Sequence, residues 1–281
     1  MNSGKKLPRH KSIYILPNLF TTASLFSGFL GILWASQGHY SYCALAVFFS
    51  ALMDGLDGKV ARLTGTSSEF GIQYDSLADL VAFGVAPGFM IYQSYLLPFN
   101  RLGIAIAFLF AACSALRLAR FNVQTSTANK RFFTGLPTPA AGCFLAGFIL
   151  FVPYLPEGMQ DGFARGCALV FTGAIAFLMV SNIRYASFKE LGAFKAHPFR
   201  NMVAAILLFV LLIINPKVFG FLTLLGYVFS GLVHTFIILP RMARQANRSA
   251  AAGTKGEPPK AETPDSGVTA PETQHPAEPK N

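Results

Sequence analysis

Residues 41–62 read SYCALAVFFSALMDGLDGKVAR. From Ser41 to Met53 the stretch carries no charge; then Asp54 and Asp57 arrive, followed at once by Lys59 and Arg62. As a helix it reaches the length of a bilayer's hydrocarbon core, which takes ~20 mostly apolar residues. With this run placed over 41–61, similar ones cover 14–35, 74–97, 102–121, 137–155, 163–181, 200–214 and 217–240, that over 200–214 short enough to be tilted or re-entrant. Eight such runs specify an all-α, polytopic membrane helix bundle rather than a soluble domain with a large core.

Composition agrees. Of 281 residues, 53% are hydrophobic, 28 are Phe and only 13% are charged, against roughly 25% charged in an ordinary soluble domain. The net charge of +10 raises the question of nucleic acid. The basic residues, however, sit in short patches between apolar spans, as membrane orientation and anionic headgroups require. Membrane lipids, and no nucleic acid, are therefore the expected surroundings. With a cytoplasmic N-terminus, only Arg101, Arg165 and Lys217 of the 23 Lys and Arg fall on the far side. That asymmetry places both termini in the cytoplasm, in what is expected to be a bacterial inner membrane, and requires an even number of spans. The first span starts early and no small-residue cleavage site follows it, so it reads as a retained anchor. Residues 246–281 turn to Ala, Pro, Glu, Thr and Lys without one aromatic residue, a composition that cannot offset its ordering entropy. The expected division is a basic cytoplasmic segment over 1–13, a transmembrane catalytic domain over 14–240 and a disordered cytoplasmic tail over 241–281.

Acids are the informative minority. Of thirteen Asp and Glu, five (Glu257, Glu262, Asp265, Glu272 and Glu278) lie in the tail, and four of the other eight are Asp54, Asp57, Asp75 and Asp79. On a helix Asp54 and Asp57 are three apart, and Gly58 and Arg62 continue the Asp54 face at four-residue steps. Gly71, Asp75 and Asp79 follow one face of the next helix in the same way. The intervening Thr-Gly-Thr-Ser-Ser-Glu-Phe, residues 64–70, is a loop short enough to make the helices antiparallel neighbours, so four carboxylates converge near the membrane surface. An unpaired acid at the centre of a spanning helix costs about 2.5–3.5 kcal/mol even on the mildest scale, and Lys59 and Arg62 cannot neutralise four. One or two divalent cations would, and all-oxygen ligation selects hard ions such as Mg²⁺ or Mn²⁺. The same acids would also suit a cation or proton path through a transporter, or stand idle at a helix end.

Gly58 and Gly71 interrupt helical patterns at a cost of about 1 kcal/mol each relative to Ala. Close approach of backbone to a ligand explains both, although a membrane-helix glycine more often serves helix packing. Arg62, one turn past Gly58, can fork onto phosphate oxygens. Cys43, Cys113, Cys143 and Cys167 are scattered singly through apolar runs and read as core residues. His197 and His234 have no partner at ligand spacing.

Asp54, the run D-G-x-x-A-R over Asp57–Arg62 and the run G-x-x-x-D-x-x-x-D over Gly71–Asp79 resemble the signature of the CDP-alcohol phosphatidyltransferases at all eight positions. The resemblance implies a core of six membrane helices, here with about two more at the C-terminal end, assembled as a homodimer around a metal-bound CDP-lipid site facing the cytoplasm. It implies that Asp54, Asp57, Asp75 and Asp79 hold two Mg²⁺ or Mn²⁺ ions and that Asp79 is also the general base. Gly58, Arg62 and Gly71 would contact the CDP moiety, with Ser68, Asn18 and Thr21 as further contacts.

More of the chain is similar to one branch of that family. Leu16-Pro-Asn18-x-x-Thr21, Asp75-Ser-Leu-Ala-Asp79 with Phe83-Gly-Val-Ala-Pro87, Arg117-Leu-Ala-Arg120-Phe-Asn122, Phe133-Thr-Gly135-Leu-Pro137-Thr-Pro139 and Arg184-Tyr-x-Ser-Phe-Lys189 resemble the integral-membrane enzymes that join CDP-diacylglycerol to L-serine. Serine would need a cationic partner for its carboxylate, and Arg117, Arg120 and Arg184, all at helix ends, are the candidates; each also reads as a plain positive-inside anchor. The Gly135–Pro139 stretch is either a fixed turn at the alcohol entrance or a helix start. Glycerol 3-phosphate, inositol phosphate and choline remain competing acceptors within the class, and a cation-coupled transporter competes from outside it.

Overall fold

Lipid offers backbone amides no hydrogen-bond partner, so a chain of long apolar runs must satisfy them within helices. The computed structural model describes residues 15–65, 68–126, 135–181, 183 and 198–233, and no strand occurs among them. The helices are α1 (Ile15–Ser36), α2 (Tyr40–Thr64), α3 (Glu69–Asp79), α4 (Ala86–Ile91), α5 (Asn100–Ser126), α6 (Thr138–Phe151), α7 (Gly162–Val180), α8 (Pro198–Ile214) and α9 (Pro216–Val233). Two π-helical turns, Leu80–Val85 and Tyr92–Leu96, and a 3₁₀ turn, Leu97–Phe99, join α3, α4 and α5 into one helical run that folds back at Asn100, a left-handed residue with φ 49°. The expected segment over 1–13, the tail over 241–281, Arg184, Phe133 and both His197 and His234 lie outside the described residues.

Over the described residues the expected apolar runs are helical nearly throughout, but the run 74–97 passes through α3, a π turn, α4 and a second π turn, and the run 137–155 ends in a 3₁₀ turn at Val152–Tyr154. Four stretches are long and apolar enough to cross a membrane: Pro17–Ser36, Glu69–Val123, Gly162–Val180 and Pro216–Val233. The second holds 55 residues, about 80 Å of helix at 1.5 Å per residue, and so supplies two crossings. Thr138–Tyr154 and Ala205–Ile214 are shorter apolar helices. Although 25 residues long, α2 is absent from the four because its second half is the charged Asp54–Arg62 run.

The loop between the aspartate pairs is shorter than expected. α2 continues through Thr64 and stops at Gly65 in the left-handed conformation, φ 62°, the usual C-terminal device. Ser68 then caps α3, its hydroxyl accepting the Gly71 amide at 3.0 Å. Glu69 and Phe70, read as loop, are already helical because that cap satisfies an orphan amide of the first turn. The third span accordingly starts at residue 69 rather than 74.

Small residues let the helices approach closely, the normal basis of association in lipid. Ser27 donates to the Ala46 carbonyl at 2.9 Å and Ser50 to the Ser24 carbonyl at 3.0 Å, locking α1 to α2. The π turn after Asp79 is gripped from three sides. A Cβ on Gly28 of α1 would lie 2.7 Å from Ala82 Cα, one on Gly142 of α6 2.9 Å from the Phe83 backbone, and one on Gly84 itself 2.9 Å from Ser114 Cβ of α5. Replacing Gly142 with Ala should therefore destabilise the bundle by about 1–3 kcal/mol, as overpacking does, and lower the melting temperature in detergent. An unchanged melting temperature would mean that α6 has slack at this crossing.

Ahead of α6, Gly135 holds φ 91°. Its amide donates to Ile183 O at 2.8 Å and that of Leu136 to Leu178 O at 3.1 Å, so this turn is tied to the end of α7. Pro137 then precedes the first residue of α6; the stretch is both fixed turn and helix start. α9 docks on α6 through Phe221, which is buried among Phe144, Phe148 and Phe151. α8 exposes Ile206, Leu207, Phe209, Ile213 and Ile214, a surface suited to lipid.

Candidate active site

The turn around Gly65 brings the second half of α2 beside the first half of α3, and α1 packs on both. Carboxylate oxygens of Asp54, Asp57 and Asp75 all lie within 4.8 Å of one another. Asp79, one further turn along α3, stands outside this trio, is 9% exposed, and feels the charges of Asp54, Asp75 and Asp57. Among the described residues no Lys or Arg is at ion-pair distance from any of the four; the ion pair found there, Arg165–Asp161, is at the start of α7. Arg117 is the cation whose field opposes the others at Asp79.

Three like charges this close need a positive counterpart. Oxygens on opposite sides of an ion bound at its usual 2.0–2.6 Å stand roughly 4–5 Å apart, so the observed spacing fits one shared divalent cation. The donor set is wholly oxygen, which suits hard ions. Asp54, Asp57 and Asp75 are thus the residues that could hold a metal, with Asp79 adjacent.

α1 supplies the pin. Thr21, 4% exposed, donates to Asp57 Oδ2 at 2.8 Å and is also 3.2 Å from the Pro17 carbonyl. At the next residue of α1, the Thr22 and Tyr74 hydroxyls are hydrogen-bonded at 2.9 Å, tying α1 to α3. Asn122 of α5 accepts from Ser76 at 3.1 Å and donates to Gln73 Oε1 at 2.9 Å, which secures the opposite flank of α3. Neither contact follows from spacing, since each joins residues about fifty positions apart.

Beside the aspartates opens a cavity of about 160 Å³. Its walls include Asn18, Thr21, Asp57 and Gly58 on one side and Ser68, Gly71 and Asp75 on the other. Every expected nucleotide-side residue except Arg62 lines it. Arg62 is exposed, with Nη2 3.9 Å from where a Gly58 Cβ would stand. A Cβ on Gly71 would meet Ser68 Oγ at 3.1 Å and Asn18 Oδ1 at 3.5 Å, so the bare glycine keeps this wall open. Pro17 and Ile72 also line the cavity; as apolar residues without a chemical signature they escape a reading by motif.

The three arginines separate. Arg117 Nη1 donates to the buried Thr138 hydroxyl at 2.8 Å and its charge reaches Asp79. Arg120 Nη1 instead approaches the Val180 carbonyl, 3.4 Å away at the end of α7. Arg184 lies outside the described residues.

Fold and site together define an integral membrane enzyme class: a helix bundle with an oxygen-only acidic centre beside a cavity into which Asn18, Thr21 and Ser68 bring polar groups. A family model described as CDP-alcohol phosphatidyltransferase matches residues 14–181. The chain belongs to the CDP-alcohol phosphatidyltransferase family, whose members generally use divalent metals. It is 43% identical over 178 residues to a CDP-diacylglycerol–serine O-phosphatidyltransferase of Helicobacter pylori, an alignment spanning 63% of this chain and 74% of that one. It is 36% identical over 195 residues to an archaetidylserine synthase of Methanothermobacter thermautotrophicus, spanning 69% and 77%. A CDP-diacylglycerol–serine O-phosphatidyltransferase of Mycobacterium tuberculosis is 34% identical over 207 residues, spanning 71% and 68%.

Proposed function

We propose that the protein transfers the phosphatidyl group of CDP-diacylglycerol to L-serine, forming phosphatidylserine and CMP. The observation that carries this reading is the meeting of Asp54, Asp57 and Asp75 at the mouth of a cavity walled by Asn18, Thr21, Gly58, Ser68 and Gly71. The names of the three relatives support serine as the acceptor. The distribution of Lys and Arg supports a site opening to the cytoplasm, both termini on that side, and the inner membrane of a bacterium.

In this mechanism Asp54, Asp57 and Asp75, with Asp79 at their side, would hold Mg²⁺ or Mn²⁺, two ions in the full site, which would supply Lewis-acid neutralisation of diphosphate charge. Gly58 and Gly71 leave backbone bare so that the nucleotide's polar groups can settle against it. Ser68 and Asn18 offer hydrogen bonds at the same wall, and Arg62 overhangs it with a guanidinium suited to phosphate. Asp79 takes the proton of the serine hydroxyl. The freed oxygen attacks the phosphorus that carries diacylglycerol, the new P–O bond forms, and the bond to CMP breaks with its electron pair leaving on the CMP phosphate. A carboxylate held by a metal is a poor base, so the position of Asp79 outside the tight trio favours it for this role. Arg117, which faces Asp79, takes the serine carboxylate.

The test is an acceptor panel. Purified protein with CDP-diacylglycerol, Mn²⁺ or Mg²⁺ and one of serine, glycerol 3-phosphate, inositol phosphate or choline is assayed for CMP and the lipid product. Serine alone should release CMP and form phosphatidylserine in equal amounts. CMP release with a different acceptor only would reassign the substrate, and no CMP with any acceptor would remove the enzyme reading.

A further inference from the structure

We propose that Asn122 of α5 is a positioning residue for the metal site: its carboxamide clasps Gln73 and Ser76, fixes the rotation of α3 about its own axis, and so holds the Asp75 carboxylate beside Asp54 and Asp57. This rests on the metal part of the reading above and not on which alcohol is the acceptor.

The two ends of α3 are held by different means. At its end, Asp79 runs into the π turn that Gly28, Gly84 and Gly142 grip through close backbone packing. One turn earlier, around Asp75, the helix is only partly covered: Ile72, Gln73 and Leu77 are exposed, and Tyr74 and Ser76 are half-buried. What holds this stretch is polar. Successive residues of an α-helix turn by about 100°, so Tyr74 and Ser76 project to either side of Asp75 and Gln73 lies nearly opposite it. The Tyr74 hydroxyl is hydrogen-bonded to that of Thr22 on α1 at 2.9 Å. On the other flank Asn122 Nδ2 donates to Gln73 Oε1 at 2.9 Å, and Asn122 Oδ1 accepts from Ser76 at 3.1 Å. The Ser76 proton has a second acceptor in the Ile72 carbonyl, also at 3.1 Å, so the bond to Gln73 is the firmer half of the clasp. One clasp alone would be a pivot. Clasps on both flanks stop the helix from rolling.

Asn122 itself stands on a fixed platform. On the same helix Arg117 donates to Thr138 of α6 at 2.8 Å, and Arg120 to the Val180 carbonyl at the end of α7 at 3.4 Å. A roll of α3 by about 20° would carry a carboxylate standing roughly 6 Å from its axis through about 2 Å. A metal site tolerates about 0.2 Å in its ligand distances. The meeting of Asp54, Asp57 and Asp75 oxygens within 4.8 Å of one another therefore depends on the lock, whereas Asp79, set by packing, does not.

The experiment strips purified full-length protein of metal and titrates Mn²⁺ into wild type and Asn122→Ala. Metal-free melting temperatures should agree, because neither Asn122 nor Gln73 belongs to the apolar core. The Mn²⁺ concentration needed for a given rise in melting temperature should be about tenfold higher in the variant, the lower end of what losing a partner behind metal ligands costs. The Mn²⁺ giving half-maximal CMP release should rise in parallel, while kcat at saturating Mn²⁺ should match wild type. Gln73→Ala should share the effect, and the double variant should be no worse than Asn122→Ala, as for two residues acting through one contact. Should Asn122→Ala not fold, Gln73→Ala, altered on an exposed side chain, decides by the same two readouts. A Mn²⁺ response equal to wild type overturns the proposal, as does a loss of kcat that saturating Mn²⁺ does not restore. If wild type itself gains no stability from Mn²⁺ or Mg²⁺, the metal reading fails and this proposal falls with it; a wild-type response that the variant matches removes this proposal alone.

Discussion

Asp79→Asn should leave a folded protein that barely turns over, with CMP release reduced by at least about a hundredfold. Asn has the same shape but no proton affinity at its oxygen in the working range, and a general base alone contributes roughly 10²–10⁴-fold. The substitution also removes one of four crowded negative charges, so the bundle should not suffer. Asp79 is buried just before the π turn that Gly28, Gly84 and Gly142 clamp; its position is set by backbone packing rather than by its own contacts. CMP release and melting temperature measured on the same preparation check both halves. Activity within tenfold of wild type would take the base role from Asp79, and a collapsed melting temperature would assign it a structural one.

Much of this architecture was legible because membrane helices announce themselves locally. An apolar run of fixed length is visible residue by residue, and the i, i+3 and i+4 spacing of Asp54, Asp57, Gly58 and Arg62 put them on one face without tertiary knowledge. The nucleotide-side residues were likewise found, because Asn18, Thr21, Ser68 and Gly71 sit in short runs that resemble a known pattern. Helix crossings were beyond that reach. Nothing local tells that Thr21 pins Asp57 across 36 positions, or that Asn122 braces Gln73 and Ser76. The π turn at Leu80–Val85 was read as ordinary helix, since its cause is the close approach of three other elements and not its own composition. Arg117 and Arg120, three residues apart and equal as candidates, parted only when α6 and α7 were in place: one meets Thr138 and the other the end of α7.

Asp57→Asn separates the metal site from the fold in a way that Asp79 cannot, because its effect on stability should change sign with the ion. Asp57 is 5% exposed, held by Thr21 and crowded by Asp54 and Asp75. Without metal, neutralising one of three mutually repelling carboxylates should leave the melting temperature equal to or above that of wild type. With metal, wild type gains stability by mass action, about 2.7 kcal/mol at a concentration of a hundred times Kd, and the variant gains little because a ligand charge is gone. Catalysis follows the ion: a Lewis acid at phosphate provides several kcal/mol, so chelation of wild type should cost at least a hundredfold, with recovery on adding back Mg²⁺ or Mn²⁺, and Asp57→Asn should stay inactive at any metal concentration. The decisive readout is the crossover of the two melting curves on titration with Mn²⁺. Should wild type and Asp57→Asn respond to the ion equally, these aspartates are not its ligands, and the charge they concentrate must be balanced by some other group.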